Sequence, residues 1–303
     1  MPDTPRLPAY ASSTESELTE IAPSMSTPSL PPAYDDATAT DDVPGGSDGP
    51  PRTPFAPTVH FQVETAGKPW LSLPVGTRPD PIPIYRVEAG SWAPGSTPAY
   101  VSLRFSRGDG SCRLVRGDDD GSQTPVCTTL YRFGPGKPPV LRLPRALVSP
   151  HAAPADADLD LPVMSKSLVT RTQVLKTPLG TFQWRYASRR EVAAAEGVDD
   201  LLVCELVTRV ALAGGRKTRE ETARVAQFAR GPGTRTGGTG RSAAGNGGRL
   251  AVDLARWTGP KGGARDAVEA LVIAGCVCML KKEVDRRRMH QMMIMAGGAS
   301  GGG

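Results

Sequence analysis

The chain is poor in the side chains that most often carry chemistry. Histidine occurs three times in 303 residues, and His60, His151 and His290 stand apart from any Asp, Cys or Ser pattern that would suggest a triad. The five cysteines (Cys112, Cys127, Cys204, Cys276 and Cys278) are odd in number and unevenly spaced. That excludes a disulfide framework and suits a reducing compartment. Cys276 and Cys278 form a CxC pair, but on a helix residues i and i+2 point about 200° apart, so they cannot share one ion. Asp118-Asp119-Asp120 and the alternating Asp156, Asp158 and Asp160 lack the Gly and terminal Glu of a calcium loop. The stretch 231–240 (GPGTRTGGTG) has neither the flanking strand and helix nor the Lys-Ser/Thr of a phosphate-binding loop. Basic strand residues beside aromatics, such as Arg104/Phe105 and Trp184/Arg185/Tyr186, come without an RNA-binding signature. The opening MPDTPRLPAY has no basic stretch followed by an apolar one, so no signal peptide is expected and an intracellular, cytoplasmic setting is. No acid/base or nucleophile constellation assembles, and none of these patterns implies a metal, a cofactor or a nucleic acid. The expectation is a non-enzymatic binding protein, monomeric.

What is abundant is glycine and proline, 34 and 30 residues, about a fifth of the chain against a usual ~12%. They concentrate in three places: before Thr58, around Gly231–Gly248, and in the closing GGASGGG. Charge is segregated as well. Residues 1–57 hold nine acidic residues against two arginines, net −7, so the remainder carries +12 of a total of +5. A basic body of this kind favours acidic surfaces such as phospholipid headgroups or nucleic acid. Residues 1–57, rich in Pro, Ser, Thr and Asp, have too little bulky apolar surface to offset the entropy of ordering and read as a disordered tail.

That tail contains two related motifs. Pro31-Pro32-Ala33-Tyr34 is a PPxY sequence, and Leu7-Pro8-Ala9-Tyr10 is its LPxY variant. Prolines pre-set the polyproline II conformation that WW domains read, and the tyrosine fills a second pocket. Leu7, Pro8, Tyr10, Pro31, Pro32 and Tyr34 are therefore the candidate WW-binding residues. Two copies about two dozen residues apart suit tandem WW domains through effective concentration. The natural reader is a HECT-type ubiquitin ligase, which would make this chain an adaptor or a substrate.

From Thr58 the pattern changes to short alternating runs separated by turns. Candidate strands are 58–64, 82–88, 99–106, 111–116, 126–133, 168–176, 179–186, 201–211, 223–230 and 249–257. Gly108-Asp109-Gly110 and Thr177-Pro178-Leu179-Gly180 carry hairpin chemistry; the first also explains the adhesion-like tripeptide Arg107-Gly108-Asp109. Ser149–Pro162 reads as a linker and Gly231–Gly248 as an expanded mobile loop. One segment breaks the pattern. Ala270–Leu280 is apolar without interruption, so a helix there has no face for water and must be enclosed. Eleven residues span roughly 17 Å, short of the ~30 Å hydrocarbon core. The expected architecture is thus mainly β: a closed antiparallel barrel of about twelve strands, residues 58–289, around a C-terminal helix at about 264–288, with a Met/Gly-rich disordered tail over 290–303. The competing reading is a tail-anchored protein whose Ala267–Leu280 segment sits in the bilayer. Lys281, Lys282, Arg286, Arg287 and Arg288 follow the apolar run directly. They serve first as cations at a helix C-terminus, offsetting its dipole, and they are also the candidate residues for gripping anionic phospholipid.

The combination of a PPxY-bearing tail, about ten strands, the stretch Thr181–Arg185 (TFQWR), the strand RLAVDLARW and an apolar helix running into arginines resembles fungal proteins with a tubby C-terminal-like fold. These are relatives in shape of the LURP-one-related and phospholipid scramblase proteins. The resemblance covers roughly Thr58–Met289 and implies a twelve-stranded barrel around a central helix. The headgroup motif of tubby proteins does not map onto this chain, so the expectation that the barrel docks on a partner or an anionic membrane surface rests on the net +12 and the 281–288 cluster. For the tail, Tyr10→Ala combined with Tyr34→Ala is expected to abolish capture by immobilised tandem WW domains; undiminished capture would remove the adaptor reading.

Overall fold

Runs in which apolar and polar residues alternate become strands because a period of two turns one set of side chains inward and the other outward. The computed structural model describes residues 54–75, 80–88, 93–106, 110–118, 123–132, 137–148, 157–167, 170–211, 218–258 and 263–299. In it twelve strands form a closed antiparallel barrel. They are β1 (Val59–Val63), β2 (Ile82–Val87), β3 (Tyr100–Leu103), β4 (Cys112–Arg116), β5 (Pro125–Leu130) and β6 (Val140–Leu143), then β7 (Leu159–Ser165), β8 (Gln173–Thr177), β9 (Gly180–Tyr186), β10 (Asp200–Ala211), β11 (Thr218–Arg230) and β12 (Gly248–Val252). Every strand pairs with its neighbours in sequence, and β1 closes the wall against β12, from Val59 opposite Val252 to Val63 opposite Gly248. Three α-helices accompany the wall: α1 (Arg145–Val148), α2 (Arg189–Ala193) and α3 (Gly263–Ala299).

The inward set from the wall and the apolar run of α3 form one core. Phe61, Leu141, Phe182, Trp184, Phe228 and Leu250 meet Leu271, Val272, Ile273, Cys276 and Val277 of the helix. A wall of twelve strands leaves a hole that its own side chains cannot close, and a helix about 10–12 Å across fills it. Ala267–Leu280 is buried throughout. The competing expectation of a lipid-borne anchor at Ala267–Leu280 is therefore corrected: the segment is surrounded by protein. Among the described residues no helix is long and apolar enough to cross a membrane. Trp184 lies so close to α3 that a Cβ at Gly275 would come within 2.6 Å of its indole nitrogen, so this approach of wall to helix favours glycine there.

Three further expectations are corrected, and one strand is added. Ser149–Pro162 is not all linker, because β7 begins at Leu159. Leu161 and Val163 point inward there, and β8 pairs only with Val163–Ser165, so no second ladder calls for the N–H that Pro162 lacks. β6 also escaped the alternation search, being four residues between Pro139 and Pro144. Residues 231–248 are not a loose insertion. Ala244 exchanges both backbone hydrogen bonds with Lys68, at 2.7 and 2.9 Å, and the Gln62 amide donates to the Thr234 carbonyl at 2.8 Å. Finally, 290–303 does not begin a disordered tail. α3 is 37 residues long and continues to Ala299, since adding residues to an existing helix is easy and MHQMMIM contains no breaker. The turn at Thr177–Gly180 forms as expected, with Gly180 at φ +130° and the Thr177 hydroxyl donating to the Gly180 carbonyl at 2.9 Å. Of the turn expected at Gly108-Asp109-Gly110, Gly108 and Asp109 lie outside the described residues.

Gly275→Ala is expected to lower stability by about 1–2 kcal/mol in denaturant unfolding, because overpacking against a buried tryptophan outweighs alanine's better helix propensity. An increase would show that Trp184 yields.

Candidate functional site

The helix is held at both ends by a carboxylate inside the wall. Near the entry, Glu269 accepts from the Tyr100 hydroxyl at 2.8 Å and from Arg86 at 3.1 Å. Near the exit, Glu283 accepts from Arg230 at 2.6 and 2.8 Å, from the Tyr186 hydroxyl at 2.7 Å and from the Gly245 N–H at 2.9 Å. Gly245 sits at φ +69°, and a Cβ there would lie 2.6 Å from the Leu280 carbonyl oxygen. Only glycine brings this N–H against the helix. Burial opposes ionisation of Glu283, but hydrogen bonding and charge from Arg230, with Tyr186 and Gly245, hold its carboxyl below the ordinary value. Burial likewise works against the Arg230 charge, and Glu283 more than restores it. Arg230 also pairs with Asp200.

Around this pair the exit mouth encloses a cavity of about 270 Å³. Arg171 comes from the segment before β8, Arg230 from the end of β11, and Arg235 and Arg241 from the loop that follows. Arg286, Arg287 and His290 come from α3. Arg235 is neutralised by Asp199. Arg171, Arg241, Arg286, Arg287 and His290 line the cavity with no carboxylate partner among the described residues. Arg286 donates to the Tyr186 hydroxyl at 2.7 Å, and the guanidinium groups of both Arg286 and Arg171 lie over the Tyr186 ring. Arg287 lies 4.5 Å over the Trp70 ring; its Nη1 is buried without an acceptor, and that burial pulls its pKa below the ordinary value.

The five cations expected at the helix exit thus separate into two groups. Lys281 pairs with Asp285 at 3.0 Å and caps the Tyr131 ring. Lys282 donates to the Gln173 side chain, and Arg288 reaches Asp285 at 3.4 Å. Lys281 and Lys282 thus reach the wall through Tyr131 and Gln173, while the Asp285 pairs lie within the helix. The expected role of the run as cations at a helix C-terminus is corrected, because α3 continues to Ala299 and has no basic residue in its last turn. Arg286 and Arg287 alone face the cavity, joined by Arg171, Arg241 and His290, which the sequence did not bring together. The one available signal was arginine set among glycines in 231–248, since a Gly-rich loop is where cations are held close to a backbone. Leu7, Pro8, Tyr10, Pro31, Pro32 and Tyr34 lie outside the described residues.

A second cavity of about 270 Å³ runs between α3 and the β2–β5 wall, lined by Ile82, Arg104, Cys112, Tyr131, Cys278 and Leu280, among others. Burial pushes the Cys278 thiol up to about 12, so it is a packing group rather than a nucleophile at neutral pH. Among the described residues no three His, Cys, Asp or Glu side chains cluster as metal ligands would. Outside the wall, Glu191 forms a capping box with Ser188 at the start of α2. It accepts from Arg185 at 2.8 and 2.9 Å, which with Ser188 holds its carboxyl down at about 2. Comparison of the chain with protein-family models, curated proteins and solved structures finds no match.

Because the folded pKa of Glu283 lies below its ordinary 4.5, its stabilising effect is full above that value and is lost as pH falls through the folded one. Glu283→Gln is expected to be about 3 kcal/mol less stable at pH 7, since Arg230 loses its main partner. It should also show a shallower loss of stability between neutral pH and pH 3 in urea unfolding. A slope equal to the parent's would mean that Glu283 is not ionised in the folded protein.

Proposed function

We propose that this chain is a non-enzymatic binding protein whose barrel docks on an anionic phospholipid surface through the mouth where α3 emerges, and whose N-terminal segment recruits a WW-domain protein such as a HECT ubiquitin ligase. The observation that carries the docking half is the cavity itself. Arg171, Arg241, Arg286, Arg287 and His290 converge on one opening with no ion-pair partner among the described residues, the two carboxylates of its lining, Asp200 and Glu283, being held by Arg230. Arginine forks match phosphate oxygens in paired hydrogen bonds, and a cluster of them concentrates field at one place. The +12 carried by residues 58–303 adds a long-range attraction that salt would screen.

The tubby-like layout of the sequence supports the same reading at the level of architecture, since a barrel threaded by a helix is what that resemblance implies. The adaptor half rests on the two tyrosine motifs and their spacing. Docking and recruitment together would bring a ligase to a membrane-proximal site.

Arg171 and Arg241 are exposed, so replacing both by Gln should leave the fold intact. Binding to phosphatidylcholine vesicles containing phosphatidylserine or a phosphoinositide should fall about tenfold or more at low salt, each cation being worth ~1 kcal/mol near such a surface. Equal binding of parent and double variant would return these arginines to ordinary surface charge.

A further inference from the structure

Beside the basic mouth the protein carries an apolar tip built from two stretches far apart in sequence. Leu71 and Leu73, in the loop after β1, are 93% and 69% exposed, and Ile294 on the last turns of α3 is 60% exposed. Trp70, Leu71, Leu73, Pro74, Ile294 and Met295 line one shallow groove. Clustered apolar exposure of this kind marks an interaction site rather than scattered surface residues.

The backbone beneath the tip is prepared for leaving water. The Ser72 hydroxyl donates to the Pro69 carbonyl at 2.9 Å, and the Gln291 amide to the Trp70 carbonyl at 2.8 Å. Lys68 Nζ donates to the carbonyls of Leu73 and Val75 at 2.6 and 3.2 Å, and Arg288 Nε to that of Pro74 at 3.5 Å. Five of the seven carbonyls of the stretch 69–75 are therefore satisfied by the protein's own side chains, while Leu71, Leu73 and Val75 are exposed. An unsatisfied carbonyl is costly to remove from water, so this is the arrangement that a loop entering a low-dielectric layer needs. Neither 69–75 nor 289–297 contains an acidic residue. Arg287 stacks on Trp70 at 4.5 Å, with Arg286 and His290 beside it on the helix.

We infer that this tip, centred on Trp70, Leu71, Leu73 and Ile294, enters the boundary between headgroups and acyl chains of an anionic phospholipid bilayer, with the neighbouring arginines at the level of the phosphates. An apolar face ringed by cations is the pattern of interfacial membrane binding. A second copy of this chain seated on the tip would set the same arginines against each other, which charge repulsion opposes. The inference rests on the docking reading above and adds to it a contact that salt does not screen.

Leu71→Asp combined with Leu73→Asp tests it, both sites being exposed and their backbone bonds unaffected. With vesicles of phosphatidylcholine and phosphatidylserine at 0.5 M salt, the parent should retain measurable binding and the double variant should lose about tenfold or more. Brominated acyl chains should quench a tryptophan component that is absent in Trp70→Phe. A parent that binds no anionic vesicle at low salt overturns the docking reading and this inference with it. A parent that binds at low salt, with the double variant binding equally at both salt levels and no Trp70 quenching, overturns the inference alone. So does a solution dimer that the two aspartates dissociate while vesicle binding stays unchanged.

Discussion

A twelve-stranded wall cannot fill its own interior, and everything else about this molecule follows from how that hole is occupied. The uninterrupted apolar run of α3 is intolerable on a surface and necessary inside the barrel. Its register along the axis is fixed by two carboxylates, Glu269 and Glu283, fourteen residues and about 21 Å apart. Glu269 is buried and Glu283 largely so, and each finds its donors outside the helix. A buried charge without its partner would be severely destabilising, so a one-turn slip of the helix is penalised at both ends at once. Gly275 and Gly245 complete the fit by letting Trp184 and a backbone N–H approach the helix more closely than any side chain would permit.

Much of this was legible in the chain. Alternation located ten of the twelve strands, and the greasy segment, too long in its apolar run for a surface and too short for a bilayer, identified the plug. β6 and β7 were obscured because prolines flank or interrupt them, and a period-two pattern needs more than four residues to declare itself. The behaviour of 231–248 was illegible for a different reason. Its glycines look like slack in one dimension, yet at Gly245 they are the means of close contact with a helix that lies far along the chain. The same limit hid the basic mouth. Arg171, Arg241 and Arg286 come from three separate stretches, and only closure of the barrel makes them neighbours. A run such as 281–288 looked like one patch because its cations are adjacent in sequence, whereas the helix distributes them over several faces.

The two ends of α3 consequently differ in character. At the entry Glu269 is matched by Tyr100 and Arg86 in a small polar arrangement. At the exit the helix leaves the wall carrying Arg286 and Arg287, which have no ion pair among the described residues, and then a stretch of methionines and isoleucine in the open. Polar and apolar features at the exit share one fastening system: Arg287, Arg288 and Gln291 contact the loop at 70–74 while their neighbours Arg286 and His290 face the cavity. The charge and the apolar tip are therefore joined through the same stretch of α3.

The closure of the wall has a consequence for how the molecule comes into being. β1 finds one of its two neighbours almost at once in β2, but the other, β12, lies about 190 residues later, and the plug later still. During synthesis the early strands must persist as a curved sheet with an open edge and an uncovered inner face, the kind of species that invites wrong association. Such long-range pairing is slow, because loop-closure entropy is spent before the contacts that offset it are made. The last part of the domain to leave the ribosome is thus the part that makes the rest of it stable.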